Sequence, residues 1–107
     1  MISHFIKQVI EIIKKIPAGK VATYGQIATL AGNNKAARQI SRILHSSSEK
    51  YELPWHRVIN SQGKISMRSG DGFEMQKAML KSEGIEIIKD KIDLVKYKWG
   101  NLKDTIK

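Results

Sequence analysis

Apolar residues return at helical spacing near the start of the chain: Phe5, Ile6, Val9, Ile10, Ile12, Ile13 and Ile16, with Lys7, Glu11 and Lys14 between them. This pattern predicts an amphipathic helix over 5–16, stopped by Pro17 and Gly19. A brief extended piece over 20–22 leads to Thr23, which forms a capping-box pattern with Gln26 three residues on, so Tyr24 opens a second helix. Ile27, Ala28, Leu30 and Ala31 supply the apolar side of that helix, and Gly32 suits the left-handed position beyond its last turn. Asn33 and Asn34 are placed to cap a third helix over 35–46. On it, Ala36, Ile40, Ile43 and Leu44 share one face, while Arg38, Ser41, Arg42 and His45 occupy the other.

Two short helices joined by a glycine-containing turn predict a helix-turn-helix whose second helix offers its polar face to phosphate or bases. Residues 46–52 read as a polar connector. Ser61-Gln62-Gly63 reads as a hairpin turn between 57–60 and 64–66, the wing of the motif. A loop over 67–72 carries Arg68, and Asp71 with Glu74 is spaced to cap a fourth helix over 73–83, closed by Gly84. A short strand over 85–88 and a lysine-rich, loose tail from about residue 96 complete the chain. The expected fold is therefore one domain over 1–107, α/β but mostly α, a winged helix-turn-helix.

Charge sharpens this picture. Lysine and arginine number 19 against 10 acids in 107 residues, a net charge of +9 that points to an anionic partner. The chain has no cysteine, which excludes disulfides, thiolate zinc sites and cysteine nucleophiles. His4, His45 and His56 fall on separate elements without carboxylates at ligand spacing, so neither a metal nor a cofactor is expected. No apolar run approaches the roughly 18 residues of a membrane span, and no charged region with an apolar signal core opens the chain. A soluble intracellular protein without a membrane partner is the expectation.

Two stretches, Thr23-Tyr24-Gly25-Gln26-Ile27-Ala28 through Lys35-Ala36-Ala37-Arg38 and Pro54-Trp55-His56-Arg57-Val58-Ile59, resemble the DNA-binding domain of the O6-alkylguanine-DNA alkyltransferases. In that family the second motif reads Pro-Cys-His-Arg-Val, and its cysteine accepts the alkyl group from the damaged base. Trp55 stands there in this chain, which is similar to the alkyltransferase-like proteins, the non-enzymatic branch that binds alkylated guanine without repairing it. The likeness covers about residues 5–88, without the separate N-terminal domain of the transferases. It departs from the family at Ser46-Ser47-Ser48, where the family has an asparagine-containing turn. The chemistry agrees with the likeness, because an indole nitrogen holds its lone pair in the ring and only donates, whereas its face can stack a base.

The resemblance implies roles. Tyr24 would press on the phosphate beside the target and Arg38 would fill the space left by a flipped base, with Ala36, Ala37, Ser41 and Arg42 contacting DNA in the minor groove. Trp55, Pro54, Val58, Arg68 and Ser69 would form the lesion pocket, Arg68 stacking on the base as a cation. His56 and Glu83 would be the remnant of the relay that activates cysteine, now purely structural, and Arg57 would brace the wing. Met67, Met75 and Met79 read as core filler. The implied partner is duplex DNA containing O6-alkylguanine, bound by a monomer that marks the site for nucleotide excision repair proteins, in a nucleoid-associated cytoplasmic setting if the source is bacterial. A sequence-specific winged-helix transcription regulator, reading base edges in the major groove, fits the same helix-turn-helix and charge. A residual dealkylating enzyme lacks any nucleophile, metal set or cofactor motif to work with.

Overall fold

The computed structural model of the chain describes residues 3–65 and 71–100. The expectations on Met67, Arg68 and Ser69 lie outside the described residues.

The first helix, α1, runs over His4–Lys14, with the Ser3 side chain accepting from the Ile6 amide at its start. A helix of 11 residues is marginal alone in water, so packing rather than propensity holds it. Val9, Ile10 and Ile13 are buried on its inner face, each contributing roughly 1.5–3 kcal/mol by removal from water. Strand β1 (Ala22–Thr23) then gives way directly to α2 (Tyr24–Leu30). The expected capping box is complete: Thr23 Oγ1 accepts from the Gln26 amide at 3.0 Å, and Gln26 Oε1 accepts from the Thr23 amide at 3.3 Å. At the other end Gly32 turns the chain at φ +93°, and the Gly32 and Asn33 amides donate to the carbonyls of Thr29 and Ala28.

The third helix departs from expectation at both ends. It spans Ala37–Tyr51, beginning after Ala36 with no side-chain cap. Asn33 Oδ1 accepts from the Lys35 amide instead, closing a local turn that delays the helix. At its far end the supposed polar connector is helical, because Tyr51 and Leu53 pack on the core and need the chain to continue in register. Ser46 and Ser48 bond back to the carbonyls of Ile43 and Leu44 rather than breaking the turn. Glu52, at φ +53°, ends the helix, and the Leu53 amide donates to Ser48 oxygen.

A 3-10 turn over Trp55–Arg57 leads into β2 (Val58–Ile59), which pairs in parallel with β1 in the register Ala22 to Val58 and Thr23 to Ile59. Parallel partners need a long crossover, and here α2 and α3 together provide it. The segment read as a wing keeps its turn, with the Gly63 amide donating to Asn60 oxygen and the Asn60 amide to Lys64 oxygen, but its second arm also pairs with a segment further along the chain. Lys64 bridges Lys91, and the Ile92 amide donates to Gly63 oxygen at 2.8 Å. A tight turn at Lys89 and Asp90, both with positive φ, presents that new partner. The supposed strand over 85–88 is thereby reduced to an isolated bridge between Ile88 and Lys91.

Helix α4 (Asp71–Ser82) starts two residues ahead of expectation, and a last short helix, α5, covers Leu94–Tyr97. Tyr97 and Trp99, inside the stretch expected to be loose, bracket Val21: the Val21 amide donates to Tyr97 oxygen and the Trp99 amide to Val21 oxygen. Gln26 Nε2 adds a 2.6 Å bond to Trp99 oxygen. Two apolar clusters result. One joins α1, α2, α3, Leu53 and Val58; the other gathers Val21, Ile59, Ile65, Leu80, Ile85 and Ile92.

Gly63 permits the close crossing of the turn over Ile92. A Cβ there would lie 2.5 Å from Ile92 oxygen, at φ +79°. Gly63→Ala should therefore destabilise by about 2–4 kcal/mol, combining left-handed strain with a backbone clash. Gly84→Ala, at φ +87° with open space around it, should lose only the strain part, about 1–2 kcal/mol. Urea unfolding of both variants checks the difference; equal losses would remove the close-approach argument.

Candidate nucleic-acid interface

Helix α3 is a wall between two concavities. On one side lies a groove of about 570 Å³ lined by Asn33, Lys35, Ala36, Arg38, Gln39, Arg42 and Ser46, together with Ile6 and Ile43. On the other lies a cavity of about 690 Å³, within the size range of small-molecule sites. The four polar residues expected on one face thus divide: Arg38 and Arg42 border the groove, and Ser41 and His45 border the cavity. All four are exposed. Ala37 is half-buried, whereas Ala36, expected at the DNA, is only 6% exposed and packs in the core.

The uncapped start of α3 leaves its first-turn amides without a side-chain acceptor, beside Lys35, Arg38 and Arg42. Such a terminus attracts anions, since its unpaired N–H groups and the helix dipole act together.

Trp55 and Val58, expected in the pocket, line the cavity, and Tyr24, expected at the phosphate and not in the pocket, lines it with them. Pro54 does not line it; it precedes the 3-10 turn and its carbonyl accepts from the Arg57 amide, so it shapes the backbone that carries Trp55. Sequence reasoning missed most of the remaining lining. Leu44 lies on the expected part of α3, Ser48 and Glu49 come from its unexpected extension, Glu52 and Leu53 from its end, and Gly72, Met75 and Gln76 from α4. Met75, expected as core filler, is 55% exposed and lies against the cavity. Gln76 is 1% exposed, and its Nε2 donates to the carbonyls of His56 and Val58, tying α4 to β2.

Beneath Trp55 sits a charged cluster. Glu83 Oε2 lies 2.7 Å from His56 Nε2 and 2.7 Å from an Arg57 terminal nitrogen, Arg57 Nε donates to both carboxylate oxygens, and the Gly19 amide donates to Oε1. Arg57 also donates to Ile16 oxygen at 2.8 Å, so it braces the end of α1 against α4 and not the wing. Burial works to raise the Glu83 carboxyl, and the hydrogen bonds from Arg57, His56 and Gly19 outweigh it, holding its pKa at about 2. With Nε2 at the carboxylate, the remaining ring nitrogen of His56 is Nδ1. That atom is buried and unpartnered among the described residues.

This relay geometry ends at an indole. The Trp55 and His56 rings meet edge to face, with centroids 6.3 Å apart. An imidazole and carboxylate so arranged can activate a neighbouring thiol, but the chain contains no cysteine to receive that help. No group of three or more potential metal ligands occurs among the described residues.

Comparison with known proteins places this geometry. Residues 4–85 match the family described as 6-O-methylguanine DNA methyltransferase, DNA binding domain. Alkyltransferase-like protein 1 of Schizosaccharomyces pombe is 40% identical over 101 residues, covering 89% of this chain and 94% of that protein. The chain belongs to this family, on its alkyltransferase-like branch. The DNA base-flipping protein of Vibrio parahaemolyticus is 49% identical over 96 residues, 89% of this chain and 95% of that protein. The rat methylated-DNA–protein-cysteine methyltransferase is 39% identical, but the match spans only 39% of its length. Among solved structures, S. pombe Atl1 in complex with damaged DNA containing O6-carboxymethylguanine superposes with a TM-score of 0.82 at 38% identity, over 92% of this chain and 97% of that one. The mostly helical domain with its two-strand sheet is thus the alkyltransferase DNA-binding fold.

The Glu83 cluster sets a pH window. A carboxyl depressed from 4.5 to about 2 stabilises the fold fully above its unfolded value, and that contribution drains away as pH falls from about 4.5 towards 2. The shift corresponds to about 3 kcal/mol. Urea unfolding of the parent and of Glu83→Gln should show the parent more stable by about that amount at pH 7, with the gap closing below about pH 3. Parallel pH profiles would refute the assignment.

Proposed function

We propose that this protein is a sensor of alkylated DNA. It docks its helix-turn-helix on duplex DNA from the minor groove, rotates an O6-alkylguanine into the cavity, and holds it there without chemistry. The observation that carries this reading is Trp55 in the wall of the cavity beside the recognition helix, above an intact His56–Glu83 pair, in a chain without cysteine. The groove side of α3 supplies the phosphate contacts through Arg42, Lys35 and the uncapped amides, and Arg38 enters the base stack. Tyr24 stands at the first turn of α2 on the cavity side, suited to turning the nucleotide at its phosphate. The base then packs on Trp55. Unstacking costs a few kcal/mol, offset by base–aromatic stacking of about 1–3 kcal/mol and by the arginine that replaces the base. The naming of relatives as base-flipping proteins and the damaged-DNA complex of S. pombe Atl1 support the reading.

A monomer seated on the lesion would then be a landmark for nucleotide excision repair proteins. Arg38→Ala should weaken binding to an O6-methylguanine duplex by about tenfold, roughly 1.4 kcal/mol, with an unchanged circular dichroism spectrum. Fluorescence anisotropy at near-physiological salt against an otherwise identical unmodified duplex measures this, with mass spectrometry of the protein afterwards. Tighter binding to the lesion at unchanged protein mass is the expected result. Equal binding of the two duplexes would overturn the sensor reading in favour of a sequence-reading regulator, and a gain of one methyl group in mass would overturn the absence of chemistry.

A further inference from the structure

The polar lining of the cavity is rich in hydrogen-bond acceptors, in a chain that is otherwise strongly basic. Glu49 and Glu52 both line it and are exposed, and neither carboxylate has a salt-bridge partner among the described residues. No lysine or arginine is found among the described residues of the lining. The lysine between the two acids, Lys50, lies over the Tyr51 ring at 5.4 Å. Ser48, in the same wall, spends its hydroxyl proton on Leu44 oxygen and so faces a ligand as an acceptor.

A second feature points independently to a ligand. Gln76 is 1% exposed and lines the same cavity, and its Oε1 has no hydrogen-bond partner among the described residues. Rotating the amide does not relieve this, because Nε2 is committed to the carbonyls of His56 and Val58, which accept and cannot donate. A buried acceptor left unmade is costly, so a residue in the cavity wall carries an unmet demand for an N–H or O–H.

We infer that the cavity ranks its occupants by the substituent they carry: adducts ending in a cationic or hydrogen-bond-donating group bind more tightly than neutral alkyl adducts, and these more tightly than adducts ending in a carboxylate. This rests on the lesion-sensor reading and names the class of lesion that the site favours. The ranking opposes the field of the whole chain. A net charge of +9 draws more strongly on DNA that carries an extra negative charge, so a preference for the cationic adduct has to arise locally, at Glu49, Glu52 and Gln76. The S. pombe Atl1 complex holds an adduct with a carboxylate, so the inference concerns rank and not exclusion.

The test uses the full chain and four duplexes of one sequence, carrying O6-methylguanine or an O6-alkyl chain of matched length that ends in an ammonium, a methyl or a carboxylate. Anisotropy competition at near-physiological salt should place the ammonium adduct about tenfold above the carboxylate adduct, with the neutral chain between them. The double substitution Glu49→Gln with Glu52→Gln, conservative in shape, should erase that spread. A spread that persists in the double variant, or no dependence on terminal charge in the parent, overturns the inference while the sensor reading stands. Loss of discrimination between O6-methylguanine and guanine in the parent overturns the sensor reading itself.

Discussion

The Glu83 carboxylate collects hydrogen bonds from an arginine, a histidine and a backbone amide, and through them it joins three parts of the chain that are far apart in sequence. It sits at the end of α4. Arg57 and His56 belong to the turn before β2, and Gly19 to the loop after α1. A side chain only 14% exposed cannot keep its charge without such partners, and Arg57, 18% exposed, is equally dependent on it. The turn that aims Trp55 is therefore held from below by an ion cluster and not by its own short run of backbone bonds. In a transferase-like arrangement these residues would tune a nucleophile; here the same atoms position an aromatic wall.

Everything functional then arranges itself around α3. Because β1 and β2 pair in parallel, the chain between them must leave the sheet and return, and α2 and α3 fill that crossover. One flank of α3 carries the basic groove and the other carries the cavity, so the two concavities are separated by the width of a single helix. The extra helical turns over residues 47–51 matter most in this respect, since they bring Ser48 and Glu49 to the cavity. The charges that the described residues bring to the two flanks therefore differ in sign: Lys35, Arg38 and Arg42 at the groove, Glu49 and Glu52 at the cavity.

Much of this was legible in order along the chain. The apolar stripe of α1, the Thr23–Gln26 box and Gly32 all act within four or five residues, where local chemistry decides the outcome. The polar run over 46–52 misled because serine and glutamate favour exposed helix as readily as loop, and burial of Tyr51 and Leu53 tipped the balance. Asn33 misled at the start of α3 because its side chain satisfied Lys35, a nearer donor than the helix. Of the pocket, Trp55 and Val58 could be read from a motif and Tyr24 only as a residue for the phosphate, whereas Met75 read as core filler and Gln76 carried no motif.

By itself, then, the sequence determined which side chains can act: a tryptophan without any cysteine, a basic helix-turn-helix, and a histidine and glutamate able to pair. These are matters of residue type and short spacing. Tertiary structure alone decided that the second arm of the presumed wing pairs with residues 90–92, that Arg57 reaches back to Ile16, and that two glutamates and a glutamine share a cavity with Trp55. Those outcomes join residues tens of positions apart, and such contacts are selected by how the two apolar clusters close, a property of the whole chain that no local window contains.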